Sequence, residues 1–178
     1  YSVTLQSLID EFSLEKICVP ENLADIFVCI NEVNRPGLQL SGFFDHFEPS
    51  RVQIIGKAEY HYLLEMTHEK RLESFSRFFE HNVVCVVFSS NLDVFDEAIE
   101  CAKASGTPIL RTHSSTSHFM AALISSLSVS LAPRITRHGV LVEVYGEGIL
   151  ILGDSGIGKS EIAIELVKRG HRLIADDA

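Results

Sequence analysis

Residues 153–160 read Gly-Asp-Ser-Gly-Ile-Gly-Lys-Ser and fit the pattern G-x-x-x-x-G-K-[ST], a loop that wraps a phosphate chain. No other stretch restricts the fold so far, because such a loop works only where a strand runs into it and a helix starts from it. Its glycines let backbone N–H groups turn inward around the phosphates, Lys159 can reach the β- and γ-phosphates, and the Ser160 hydroxyl can ligate Mg²⁺. The start of the helix also favours an anion. Gly153, Asp154, Ser155, Gly156, Ile157, Gly158, Lys159 and Ser160 are therefore the candidate nucleotide-binding residues, with Ser160 the candidate metal ligand. A chance match in 178 residues is on the order of 1%. The flanks agree: Ile-Leu-Ile-Leu at 149–152 reads as a strand, and 159–169 reads as a helix with Ile162, Ala163, Leu166 and Val167 apolar and Gly170 as its stop.

The run 172–175 (Arg-Leu-Ile-Ala) can return as a strand parallel to the first, which puts Asp176 and Asp177 at its C-terminal end. Ligands of open α/β sheets bind at that end, so one of these carboxylates can face metal and phosphates as a ligand or base. A helix cap or a solvated turn is the other reading of the pair. Upstream, 138–145 alternates like a strand and 148–152 runs back, giving a hairpin about Gly146-Glu147. That turn sets Tyr145 opposite Gly148, Leu141 opposite Leu152 and His138 opposite Ser155, beside the phosphate loop. A histidine at a strand start can equally be structural.

Residues 1–133 alternate strand and helix patterns. Val-Val-Cys-Val-Val-Phe at 83–88 is a charge-free β-branched run, the pattern of a central strand covered on both faces. Val94, Phe95, Ala98, Ile99 and Ala102 then share a helical face, with Asp93 as a cap and Gly106 as a stop, and 107–111 reads as a second, parallel strand. From 114 to 131, Phe119, Met120, Leu123, Ile124, Leu127 and Leu131 mark a long amphipathic helix that Pro133 ends. The expected fold class is thus α/β: an N-terminal α/β domain, 1–133, with a partly parallel sheet, then the start of a C-terminal P-loop domain at 134–178.

Composition excludes several classes. With 46% hydrophobic residues the chain is no disordered segment, and its apolar runs fall far short of the roughly 20 residues that span a bilayer. The formal charge of −9 is concentrated in residues 1–133, which disfavours nucleic acid as a partner. Cys18, Cys29, Cys85 and Cys101 form no C-x-x-C pair and read as reduced thiols, and the first residues lack a secretory pattern, so a cytoplasmic location and no membrane partner are expected.

Three stretches carry a more specific signal: His138-Gly139-Val140-Leu141-Val142-Glu143-Val144-Tyr145-Gly146, then GDSGIGKSE at 153–161, then Glu165-Leu166-Val167-Lys168-Arg169-Gly170-His171-Arg172-Leu173-Ile174-Ala175-Asp176-Asp177. With Asn34-Arg35-Pro36-Gly37-Leu38, Gly42-Phe43-Phe44 and Arg51-Val52-Gln53-Ile54-Ile55-Gly56, this series strongly resembles the bacterial HPr kinase/phosphorylase family. The resemblance implies a P-loop domain of the kind seen in phosphoenolpyruvate carboxykinases. It also implies a bifunctional reaction. ATP, or pyrophosphate, phosphorylates a serine of HPr, a phosphocarrier protein of the sugar phosphotransferase system, and the same site removes that phosphate with inorganic phosphate to give pyrophosphate. On matching positions, His138, Lys159 and Asp177 would be catalytic, with Asp177 taking the serine proton and His138 orienting a carboxylate such as Asp176. ATP and Mg²⁺ are the implied cofactors, HPr the implied partner, and a hexamer the implied assembly. Family members continue past Ala-Asp-Asp with a second metal carboxylate and a glycine-containing loop. The alternative for this chain is therefore a non-catalytic nucleotide-binding regulatory module.

Overall fold

Short strands, apolar on both faces, organise the first part of the chain. The computed structural model describes residues 1–176, and the chain divides into two compact units, Tyr1–Ala132 and Pro133–Ala178. In the first, the elements run β1 (Val3–Thr4), α1 (Leu5–Phe12), β2 (Glu15–Cys18), β3 (Phe27–Val28), β4 (Val33–Asn34), α2 (Gly37–Leu40), β5 (Val52–Ile55), α3 (Lys57–Leu64), α4 (His68–Phe79), β6 (Val86–Phe88), α5 (Asp96–Ser105), β7 (Ile109–Arg111) and α6 (Thr116–Ser130). Five strands form one sheet in the order β2-β7-β6-β5-β4, parallel from β4 to β7, with β2 antiparallel at one edge. β1 and β3 pair separately.

The two-residue period of the strands sorts their side chains into two cores. Val52, Ile54, Cys85, Val87 and Leu110 cluster with Leu5, Leu8 and Ile9 of α1 and with Phe119, Leu123 and Leu127 of α6. Ile55, Val86, Phe88 and Ile109 cluster with Leu63, with the α4 phenylalanines Phe75, Phe78 and Phe79, and with Ala98 and Ala102 of α5. Both faces of the sheet are thus covered, as such strands require. Gln53, buried in β5, is satisfied: its side-chain oxygen accepts from Asn34 at 2.7 Å and its amide donates to the Arg51 carbonyl at 2.8 Å.

Two details depart from the pattern reading. Only Val86–Phe88 of the run 83–88 joins the strand, because the Val84 N–H turns to the Pro49 carbonyl at 3.0 Å, although Val83 and Cys85 are buried all the same. Asp93 does not cap α5. The helix starts at Asp96 with Phe95 in the cap position, where the ring packs on Tyr60 and lies beneath the Arg71 guanidinium, and Asp93 stands 3.5 Å from Arg111 instead. Aromatic burial fixes the entry of that helix more strongly than a solvated cap would. Gly106 ends it in the left-handed region, as its position suggested, and α6 is capped by the Ser115 side chain.

The second unit contains β8 (Gly139–Val144), β9 (Glu147–Leu152), α7 (Lys159–Lys168) and β10 (Arg172–Ala175), in the sheet order β10-β8-β9. The hairpin turns on Tyr145 and Gly146, both at positive φ (53° and 86°), rather than on Gly146-Glu147. Two consecutive left-handed residues match the twist of the flanking strands. The register is therefore Leu141 opposite Leu150 and Gly139 opposite Leu152, two residues from the expected pairing, so each side chain keeps its face. β10 runs in the direction of β9, as anticipated, but β8 lies between them and is antiparallel to both. All four cysteines are free thiols, Cys85 buried and Cys29 exposed. Among the described residues no helix is long and apolar enough to cross a membrane.

Candidate functional site

β9 delivers the chain into the loop 153–158, and α7 leaves from it. β9 is held in the sheet by six paired positions with β8, while α7 rests on that sheet through Ala163, 3% exposed, against Val140 and Val142. The small alanine lets the helix sit close to β8, which fixes where its N-terminus points. Within the loop, Gly156 (φ 82°) and Gly158 (φ 100°) occupy the left-handed region, a conformation that turns successive N–H groups toward a common centre. Gly158 is the residue before the first helical turn, so the loop opens directly onto the positive end of α7.

Lys159 lies half-buried, with its ammonium donating to the Gly153 and Asp154 carbonyls, both at 2.8 Å. The charge is thereby parked over the mouth of the loop, on neutral acceptors that a phosphate oxygen can displace. Ser160 donates to the Asp176 carboxylate at 3.4 Å, which joins the first turn of α7 to the end of β10. Two oxygens of the kind that can bind Mg²⁺ therefore stand together beside the loop. Gly153 to Ser160, taken from the sequence as binding residues, form one continuous surface that is exposed or half-buried throughout.

His138 is exposed and directly precedes β8. The pairing of Gly139 with Leu152 brings its backbone to the base of the phosphate loop, one position from Gly153. Asp176 accepts its hydrogen bond from Ser160, whereas the sequence offered His138 as its partner. Asp177 lies outside the described residues. Sequence reasoning missed the role of Gly139: a Cβ there would come within 2.8 Å of the Ile151 carbonyl oxygen, so only glycine allows β8 to pass this close to the strand that feeds the loop. The His-Gly pair at the strand start was the available signal.

Comparison with known proteins identifies the family. The family model described as "HPr Serine kinase N terminus" matches residues 3–127, and that described as "HPr Serine kinase C-terminal domain" matches residues 129–178. A HPr kinase/phosphorylase of Lachnoclostridium phytofermentans is 49% identical over 178 residues, covering 99% of this chain and 57% of that protein. Those of Caldicellulosiruptor bescii and Clostridium perfringens are 48% and 44% identical, with the same 57% of each covered. The chain thus spans somewhat over half the length of these curated relatives. Among solved structures, the CBS and DRTGG domains of a Clostridium perfringens pyrophosphatase, complexed with diadenosine tetraphosphate, align with a TM-score of 0.48 at 17% identity, covering 70% of this chain and 46% of that one. Matched by both family models and close to half identical to curated members along its whole length, the chain belongs to the HPr serine kinase family.

Proposed function

We propose that this chain is the N-terminal domain (1–133) and the first part of the P-loop domain (from 134) of a cytoplasmic, hexameric HPr kinase/phosphorylase. The arrangement that carries this reading is the phosphate loop with Lys159 at its mouth and the Ser160–Asp176 pair beside it. The curated relatives bear that name along the matched length. In the forward reaction the serine oxygen of HPr forms a bond to the γ-phosphorus of ATP, or to a phosphorus of pyrophosphate, while the bond to the leaving phosphate oxygen breaks. Asp177 takes the serine proton. In reverse, an oxygen of inorganic phosphate forms a bond to the phosphoserine phosphorus, giving pyrophosphate, while the bond from that phosphorus to the serine oxygen breaks and Asp177 returns the proton to that oxygen.

Phosphoryl transfer needs positioning and charge neutralisation more than covalent chemistry from the protein. The loop N–H groups and the N-terminus of α7 bind the phosphates, and Lys159 moves from the Gly153 and Asp154 carbonyls to a phosphate oxygen. Ser160 and Asp176 are the residues that would hold Mg²⁺, which neutralises the phosphate oxygens when bound. His138, at the base of the loop, is assigned to orient a carboxylate of the Asp176-Asp177 pair.

The test uses protein of the relatives' full length, with HPr, ATP and MgCl₂, and reads phosphorylated HPr by intact mass. Lys159→Ala should lower the rate by roughly 100-fold or more, as expected when one preorganised charge donor at a transition state is removed. Excess inorganic phosphate should convert phosphorylated HPr back with release of pyrophosphate. Absence of phosphorylated HPr, with nucleotide binding intact, would favour the second reading, a nucleotide-binding regulatory module.

A further inference from the structure

Residues 1–132 hold 9 basic and 17 acidic residues, so carboxylates are in excess and cations should find partners. Four of the five arginines do: Arg35 with Glu59 at 2.8 Å, Arg51 with Glu32, Arg71 with Glu97 at 2.9 Å and Arg111 with Glu15 at 2.7 Å. Arg77 is the fifth, and among the described residues no carboxylate lies within ion-pair distance of it. Its guanidinium is held by neutral contacts. It stands 5.9 Å over the Phe44 ring, itself stacked on His81 at 4.1 Å, and lies 3.3 Å from where a Cβ of Gly42 would be. Gly42 has φ 97°, a conformation open to glycine, and the missing side chain is what admits the guanidinium. Gly42-Phe43-Phe44 is one of the stretches that carried the family resemblance in the sequence.

Arg77 lines a surface cleft of about 220 Å³ between α2, the end of α3 and α4. Lys70, Glu73 and Ser74 reach the same cleft from the same face of α4, at the three-, four- and seven-residue spacings that place side chains in line. Lys70 likewise has no carboxylate within ion-pair distance among the described residues, and Tyr62 supplies a flat wall. Two exposed cations with no carboxylate within ion-pair distance among the described residues, one of them beside an aromatic ring and a glycine, meet with Glu73 in a concave site within a net acidic unit. The cleft is smaller than the several hundred Å³ of a drug-sized pocket, which suits a small ligand rather than a nucleotide.

We infer that this cleft is a binding site for a small phosphate- or carboxylate-bearing ligand, held by the guanidinium of Arg77 and the ammonium of Lys70. The planar fork of Arg77 accepts two anion oxygens at once and Lys70 adds a point charge. Glu73 is placed to accept a hydroxyl of the same ligand. The inference concerns the first unit alone and does not depend on the transfer reaction proposed above.

The experiment takes the full chain with Lys159→Ala, so that the phosphate loop does not compete. Isotope-labelled protein is titrated with inorganic phosphate and, separately, with acetate, against sodium chloride of matched ionic strength. The Arg77 side-chain Nε–H signal and the Gly42 amide are followed by NMR. A saturating shift with a midpoint on the order of millimolar is expected, with phosphate if the ligand is phosphorylated and with acetate if it is a carboxylate. The Arg71 signal, already paired with Glu97, should stay still. Arg77→Gln should weaken the Gly42 response roughly tenfold or more, as loss of a charge-assisted bidentate contact would. Shifts with both anions that track sodium chloride without saturating would overturn the inference, as would a saturating Gly42 response that survives both Arg77→Gln and Lys70→Gln.

Discussion

At Gly139 and Cys85 a single atom decides behaviour. Any Cβ at Gly139 would press on the Ile151 carbonyl oxygen at 2.8 Å and on the Leu150 and Leu152 side chains at 3.1 and 3.0 Å. Because Ile151 and Leu152 lead into the phosphate loop, Gly139→Ala should displace the loop as well as strain the sheet. Overpacking of this kind costs roughly 1 to 3 kcal/mol. The expected outcome is weaker nucleotide binding by the full chain at unchanged first-unit stability, read by fluorescent-nucleotide titration alongside urea unfolding of the first unit. Cys85 illustrates a different control. Burial pushes its thiol up to about 12, so at pH 8 it is neither accessible nor ionised. Cys29 is exposed. Iodoacetamide at pH 8 should therefore label Cys29 in the folded chain and reach Cys85 only after denaturation, as peptide mass mapping would show.

Strand β2 shows how an element is secured at a sheet edge. It is antiparallel to β7, and Glu15 of β2 accepts from Arg111 of β7 through both oxygens, at 2.7 and 2.9 Å. The Arg111 hydrogen bond holds the Glu15 carboxyl below its ordinary 4.5, with desolvation opposing and the charges of Arg111 and His113 adding. A carboxyl depressed in the folded state contributes stability above its unfolded value, and that contribution is lost as pH falls through the folded value. Stability should thus decline below about pH 4.5, and Glu15→Gln should flatten that part of the profile while lowering stability slightly at pH 7. Urea unfolding between pH 3 and 7 checks both. The elements also show what could be read from residue order. The strand, loop and helix around 153–160 were legible because every constraint on them is local: glycines, lysine and serine within eight positions, a strand before and a helix after. The β6-α5-β7 unit was legible because its apolar periods are clear. The hairpin register was not, because it depended on Tyr145 accepting a left-handed conformation, which a bulky side chain rarely does. Nor was the start of α5, where packing of Phe95 under Arg71 overrode the capping potential of Asp93.

The two units differ in how far their sheets are covered. In the first, both faces carry a helical layer and a buried cluster. In the second, the buried cluster is Val140, Val142 and Ala163, on the face that α7 covers. The register puts Leu150 beside Leu141 and Leu152 beside Gly139, on the other face, where Leu150 is 48% and Leu152 is 55% exposed. Ile174 of β10 is similarly about half exposed, whereas Leu173, opposite Val142, shares the face that α7 covers. A sheet needs a partner layer for each apolar face, and the curated relatives extend well beyond the matched length. Full burial of one such side chain is worth about 1.5 to 3 kcal/mol, so the three half-buried ones of the open face leave roughly 2 to 4 kcal/mol unrealised, comparable to the whole stability of a small unit. In this 178-residue chain, amides of β8 to β10 should therefore exchange with solvent at least about 100-fold faster than those of β5 to β7, a difference of roughly 2.7 kcal/mol. In protein of the relatives' full length, the Leu150 and Leu152 amides should gain protection while β5 to β7 stay as they were. Hydrogen exchange read by NMR or mass spectrometry distinguishes the cases, and equal protection of the two sheets in the 178-residue chain would show that the open face costs the second unit nothing.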